Sequence, residues 1–254
     1  MGRHGTIAGR KEAQDKKRAA AFTKYVRLIT VAAREGADPD YNVALKHAIE
    51  KAKSINMPND NIQRAIKKGS GADGSVTYDS LNYEGYGPGG VAVIVEILTD
   101  NRNRTASSVK GLFDRCGGNV GTPGCVSYMF TRKGAIEIEK TDNLTEDDIM
   151  DVALDAGMDE ITTYDDSFYI TAPTENFEAV SAALREAGYK FIDSDITYVP
   201  NIVVENVSEA DKEKLQKLID QLEDNDDVQK VHHNCKDLLS VSYTHLTLPT
   251  TERV

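Results

Sequence analysis

The chain has no tryptophan, only three cysteines in 254 residues, and aromatic side chains make up 7% of it. Without an indole, any stacking on tryptophan is excluded. Cys116, Cys125 and Cys235 cannot all pair with one another and form no C-x-x-C, which excludes a disulfide framework and a zinc ribbon. The compartment expected from that usage is a reducing cytoplasm. Long apolar runs are missing too: Val91–Leu98 is the longest candidate and already contains Glu96, whereas a membrane-spanning helix needs about 20 apolar residues. The basic N-terminus lacks the apolar stretch of a secretory signal. Neither G-x-x-x-x-G-K-[ST] nor G-x-S-x-G occurs, so no phosphate loop and no nucleophile elbow is expected.

What is present is charge, unevenly spread. The formal net charge is -11, which by itself argues against a polyanionic partner. Its distribution reverses that conclusion. Residues 1–70 carry 15 Lys and Arg against 7 Asp and Glu, while residues 71–254 carry 15 against 34. A cationic segment joined to an anionic remainder is the pattern of a nucleic-acid-facing module attached to something that faces elsewhere.

The cationic segment reads as three helices. Glu12–Arg34 has no Pro or Gly, and Phe22, Tyr25, Val26, Ile29 and Ala33 recur at helical spacing. Lys16, Lys17, Lys24, Arg27 and Arg34 then fall on the side opposite that stripe. A second helix is expected from Tyr41 or Asn42, with Leu45, Ala48, Ile49 and Ala52 inward. A third, capped by Asn59 or Asp60, runs through Ile62, Ala65 and Ile66 to Lys67, Lys68 and Gly69. The stretch Gly69–Gly74 reads as an interdomain linker.

Beyond it, Val91–Leu98 reads as a strand, Thr105–Cys116 as a helix and Cys125–Thr131 as a strand. Then come strand 135–139, helix 145–156, strands 160–164 and 168–171, helix 174–187 and strand 191–198, the ferredoxin-like βαββαβ order. Ile202–Val207 as a strand, a Ser208-capped helix and Val228–His232 as a last strand close the interrupted first unit. The expected fold class is therefore α+β, an N-terminal three-helix domain followed by two ferredoxin-like domains, one inserted in the other. The boundaries are 1–75, 80–133 with 200–238, and 134–199, with 239–254 resembling translated adapter sequence and expected to pack against nothing.

Several features imitate chemistry. Gly85, Gly87 and Gly90 satisfy G-x-G-x-x-G, but the segment leads into a strand and contains Pro88, so it does not open the helix that a dinucleotide site needs. The loop Gly85, Tyr86, Gly87, Pro88, Gly89 and Gly90 is read as a turn or a backbone-exposing contact loop. His232 and His233 are neighbours on a strand and point to opposite faces, so they cannot share a metal. The acids from Glu146 to Asp155 fit a solvated helix face with acids early in the helix. No catalytic residue, metal, cofactor, membrane or small-molecule substrate is expected.

The blocks MGRHGTIAGRKEAQDKKRAAAFTKYVRLITVAAREGADP, NMPNDNIQRAIKKGSG, YEGYGPGGVAVIVEILTDNRNRT and GGNVGTPGCVSYMF, with the late VHHN, resemble the YebC family over about residues 1–237. The resemblance implies a DNA-binding transcriptional regulator, related to mitochondrial translational activators of a cytochrome oxidase subunit. The alternative it implies is a ribosome-associated factor that binds ribosomal RNA and relieves stalled translation. It implies a helical domain and two α+β domains, and no catalytic residues. Many members begin with a Lys-Trp pair that His4, Gly5 and Thr6 replace here. The expected nucleic-acid contacts are Arg10, Lys16, Lys17, Lys24 and Arg27 along the first helix, Arg3, His4, Lys11 and Arg18 nearby, and Lys67 with Lys68 as a second patch.

Overall fold

The computed structural model describes residues 3–71, 77–141 and 144–238, and of residues 3–17 the backbone alone. The tail 239–254 and residues 72–74 of the expected linker lie outside the described residues. The chain folds as two compact units, Met1–Cys125 with Val207–Val231 and Val126–Asn206 with His232–Val254.

The first unit begins with three helices, α1 (Arg3–Ala32), α2 (Val43–Ser54) and α3 (Asn59–Gly69). The helix expected from Glu12 starts at Arg3, because Gly5 and Gly9 each weaken a helix by only about 1 kcal/mol and no proline stops it. The expected apolar stripe does close the bundle. Ile29 and Ala33 meet Leu45, Ile49, Ile62 and Ala65, with Phe22, Tyr25 and Val26 packed against that core. Asn42 joins two helices: its Oδ1 accepts from Leu45 N at 3.0 Å, while its Nδ2 donates to Ala32 O at 2.7 Å and Gly36 O at 2.8 Å. At the third helix the cap position is Pro58, with no side-chain cap, instead of Asn59 or Asp60. Gly69 belongs to the end of that helix and not to a linker. A Cβ there would overlap Thr30 O and lie 2.7 Å from Ala33 Cβ, so the glycine sets how closely α3 approaches α1.

Four strands follow in the spatial order β3-β1-β2-β8: β1 (Asp79–Tyr86), β2 (Ala92–Thr99), β3 (Asn119–Val120) and β8 (Val228–His233). Helices α4 (Arg102–Cys116) and α7 (Glu209–Glu223) pack on one another. Strand β1 was not foreseen, since Asp79, Asn82 and Glu84 dilute its apolar signal. It is held by its register to β2, with Tyr83 opposite Val95 and Gly85 opposite Val93. The expected strand Cys125–Thr131 is corrected: Ser127–Met129 is a 3₁₀ turn, a strand begins only at Phe130, and the second partner of β1, beside β2, is Asn119–Val120. Ser208 caps α7 as expected, its Oγ accepting from Asp211 N at 3.2 Å.

The second unit contains β4 (Phe130–Glu139), α5 (Glu146–Ala153), β5 (Glu160–Thr163), β6 (Ser167–Pro173), α6 (Phe177–Glu186) and β7 (Phe191–Pro200). Its sheet order, β5-β6-β4-β7, is that of the ferredoxin-like fold read from the sequence. Ile136, Ile138, Phe168 and Ile170 pack with Ile149, Phe177, Val180 and Leu184 of the two helices. The acids at the start of α5 do what helix physics asks of them, Thr145 and Asp148 forming a reciprocal capping box. The segment Ile202–Val207, expected as a strand, makes one isolated bridge between Val204 and Cys235, and Asn206, at φ 59°, interrupts extended backbone.

Two outcomes follow from this packing. Gly69→Ala should lower the stability of the chain by about 2 kcal/mol, read as a shifted urea midpoint, because the helices cannot separate locally without loosening the shared core. Burial, reinforced by the neighbouring His232, pushes the pKa of His233 down from 6.5 to about 4. The unfolded chain therefore binds the extra proton, and stability should decline as pH falls from 6.5 towards 4, by up to about 1.4 kcal/mol per pH unit. His233→Gln should flatten that part of the profile.

Candidate nucleic-acid interface

The cations expected along α1 take different roles. Arg3, His4, Arg10, Lys11, Lys16 and Lys17 lie in the helix, and their side chains fall outside the described residues. Arg18 is exposed. Lys24 and Arg27, two turns further on, point into the protein and not towards solvent. The Lys24 ammonium donates to Glu223 O at 2.6 Å, at the end of α7. Burial lowers its pKa, against the opposing pull of the Glu223, Asp226 and Asp224 charges. Arg27 reaches the turn between α7 and β8, where its Nη1 donates to Asp226 O at 2.7 Å, to Asp227 Oδ1 at 2.5 Å and to Leu98 O at 3.1 Å. Its guanidinium carbon lies 5.6 Å from the centroid of the Tyr78 ring. These two residues are thus a correction to the expected phosphate contacts: carboxylates and carbonyls inside the same unit already engage them.

Asp227 is the centre of that arrangement. Its side chain is 6% exposed, and the Arg27 side chain 13%. Besides Arg27 it accepts from Arg104 Nη2 at 3.0 Å and from Thr105 Oγ1 at 2.7 Å. Burial alone would raise its pKa, but the hydrogen bonds from Thr105, Arg104 and Arg27 outweigh burial and hold it below the ordinary value of 3.8. A carboxylate so placed is a fastener between α1, α4 and β8, because an ion pair out of water holds only when its remaining donors and acceptors are matched.

The second expected patch divides as well. Lys67 is exposed at the end of α3, whereas Lys68 is half-buried with its ammonium 5.9 Å from the Tyr78 ring centroid. Tyr78 therefore lies under two cations, Arg27 and Lys68. Sequence reasoning missed Arg64, which is exposed one turn before Lys67 and Lys68 and lines a shallow groove with Val26, Asn61, Ala65 and Lys68. Its spacing from the two lysines was the available signal. Lys46 and Lys53, two turns apart on α2, are exposed and were also missed.

The expected contact loop is mostly interior. Gly85 and Tyr86 belong to β1, and Gly85, Gly87 and Pro88 are buried; of the six residues only Gly89 and Gly90 are exposed. A Cβ at Gly85 would collide with Asn119 O, and the Tyr86 hydroxyl donates to Cys125 O at 3.2 Å. Gly85 serves the tight pairing of β1 with β3, Gly87 lies against Leu215 and Leu218 of α7, Gly89 against Val207, and the turn is closed by Gly87 N to Val91 O at 2.8 Å. Among the described residues, no group of three or more His, Cys, Asp or Glu could hold a metal ion, and no helix is long and apolar enough to cross a membrane.

Two family models cover this architecture. Residues 3–72, which span α1 to α3, match the TACO1/YebC protein N-terminal domain, and residues 78–235, which span β1 to β8, match the TACO1/YebC second and third domain. The chain belongs to the TACO1/YebC family. A "Probable transcriptional regulatory protein" of Clostridioides difficile is 52% identical over 235 residues, covering 92% of this chain and 98% of the relative. One of the same designation from Finegoldia magna is 53% identical over 229 residues, covering 90% and 95%. The crystal structure of a conserved hypothetical protein from Aquifex aeolicus superposes with a TM-score of 0.80 at 40% identity, covering 88% of this chain and 92% of the other. As a TACO1/YebC protein, the chain places its regulator-type likeness on all three domains, and within the first of them Arg27 is a tie to the next.

The tie can be tested through Asp227. At neutral pH Asp227→Asn should cost about 3 kcal/mol of stability in urea titration, because Arg27 is left buried beside a neutral amide. A carboxylate with a depressed folded pKa stabilises above its unfolded pKa, so the gap between the two proteins should narrow as pH falls below 3.8.

Proposed function

We propose that this chain is a non-enzymatic regulator of gene expression that works in the cytoplasm by binding the phosphate backbone of nucleic acid, DNA first, through its helical domain. The observation that carries this reading is the concentration of exposed cations on that domain, Arg18, Lys46, Lys53, Arg64 and Lys67, in a chain whose remainder is anionic. Relatives at about half identity are named as transcriptional regulators, which supports the same direction. Phosphate contacts position a protein on a duplex without reading its bases, so the binding is sequence-tolerant. At physiological salt the Debye length is about 8 Å, so acidic residues farther away than that do not veto contact. Ribosomal RNA presents the same phosphates and is the alternative target.

If about six phosphates are neutralised, the logarithm of duplex affinity should fall with the logarithm of salt at a slope near -5. Charge reversal of Arg18, Arg64 and Lys67 together to Glu should weaken binding at least about 100-fold and flatten the slope by about 3. Retained affinity would move the interface elsewhere. Co-sedimentation with ribosomes, set against duplex binding at matched salt, separates the two targets.

A further inference from the structure

The turn joining α7 to β8 reads Glu223-Asp224-Asn225-Asp226-Asp227, with four carboxylates in five residues, and it meets the C-terminal third of α1, a helix rich in cations. Its acids divide by role. Asp227 is buried and ties Arg27, Arg104 and Thr105 together. The bonds that seat Lys24 and Arg27 otherwise end on main-chain carbonyls, those of Glu223, Asp226 and Leu98. Asp224 and Asp226 are exposed, and the joint does not use their carboxylates in those bonds. Their charge nevertheless falls on Lys24.

We propose that this acidic turn is an internal competitor for the polyanion: by occupying Lys24 and Arg27, and by setting Asp224 and Asp226 beside them, it closes the C-terminal third of α1 to phosphate. The proposal rests on the nucleic-acid reading above and supplies its regulation. A phosphate approaching Lys24 has to displace the Glu223 carbonyl against the repulsion of two carboxylates, so contact is confined to the Arg18 side of α1 and to the exposed face of α3. The main-chain bonds and Asp227 hold the joint without those two charges, so neutralising the pair removes the repulsion that a phosphate meets at Lys24 while leaving the domain seated.

The test uses the full chain carrying Asp224→Asn and Asp226→Asn, with a short labelled DNA duplex and purified ribosomal RNA as probes, and the urea midpoint as a check that the variant folds like the parent. At low salt the double variant should bind about fivefold more tightly than the parent, the gain should vanish at high salt, where Coulomb repulsion is screened, and adding Lys24→Gln should remove it. Binding by the variant where the parent binds neither probe would also support the proposal. Equal or weaker binding by a folded variant, beside a parent that does bind, overturns the competitor and leaves the nucleic-acid reading standing. A gain that survives Lys24→Gln overturns it as well. If neither protein binds either probe, both readings fall together.

Discussion

A guanidinium taken out of water needs acceptors close by, and the first unit of this protein is arranged around one that has three at its Nη1. Arg27 meets a buried carboxylate, two main-chain carbonyls and an aromatic face, contributed by the turn after α7, by β2 and by Tyr78 at the mouth of β1. Asp227 in turn engages α4 through Arg104 and Thr105. Segments more than a hundred residues apart in the chain therefore share a single charge pair. The apolar core of the helical bundle is separate from it, built from Ile29, Leu45, Ile62 and their neighbours. The ties described between the bundle and the sheet are polar: the ion pair with Asp227, bonds to main-chain carbonyls and the Tyr78 ring. An attachment of that kind discriminates sharply, since one removed partner leaves the other charge buried and unmatched.

The same arrangement changes what the charge asymmetry means. A segment with nine basic and two acidic side chains in residues 1–34 would present a strong positive field if all of them faced solvent. Two of those nine are turned inward, Lys24 by a main-chain carbonyl and Arg27 by the Asp227 carboxylate, and a third cation, Lys68, lies over Tyr78. The exposed positive charge shifts accordingly towards Arg18, towards Lys46 and Lys53 on α2, and towards Arg64 and Lys67 on α3. Part of the acidic excess in the later domains thus has a definite use: it positions the domain whose charge it opposes.

Much of the architecture was legible in the residues because periodicity reports burial directly. The stripe Phe22, Tyr25, Val26, Ile29 and Ala33 gave the face of α1, Ser208 gave the start of α7, and the alternating elements from 135 to 198 gave the ferredoxin-like order. The failures share a cause. Strand β1 carries polar residues on both faces, among them the buried Glu84, and is held by its pairing with β2 and β3, which leaves no apolar alternation to read. At 125–139, two expected strands proved to be a turn and one continuous strand, because Gly134 lies against Phe177 and does not break β4. The glycines at 85–90 read as a contact loop, yet Gly85 serves close backbone approach between paired strands and Gly87 packs against α7.

By itself the sequence determined the class of each helix, the α+β architecture of the later domains, the family likeness and the sign of charge on each half. All of these depend on residue type and short spacing, which propensity and solvent act upon locally. Tertiary structure alone decided which cations face solvent. Lys24 and Arg27 occupy the helix face opposite the apolar stripe, where periodicity predicts water, and they face acids that arrive from 199 and 200 residues further along the chain. Helical spacing specifies a direction around an axis, but whether that direction ends in solvent or against a carboxylate depends on what the rest of the chain brings there.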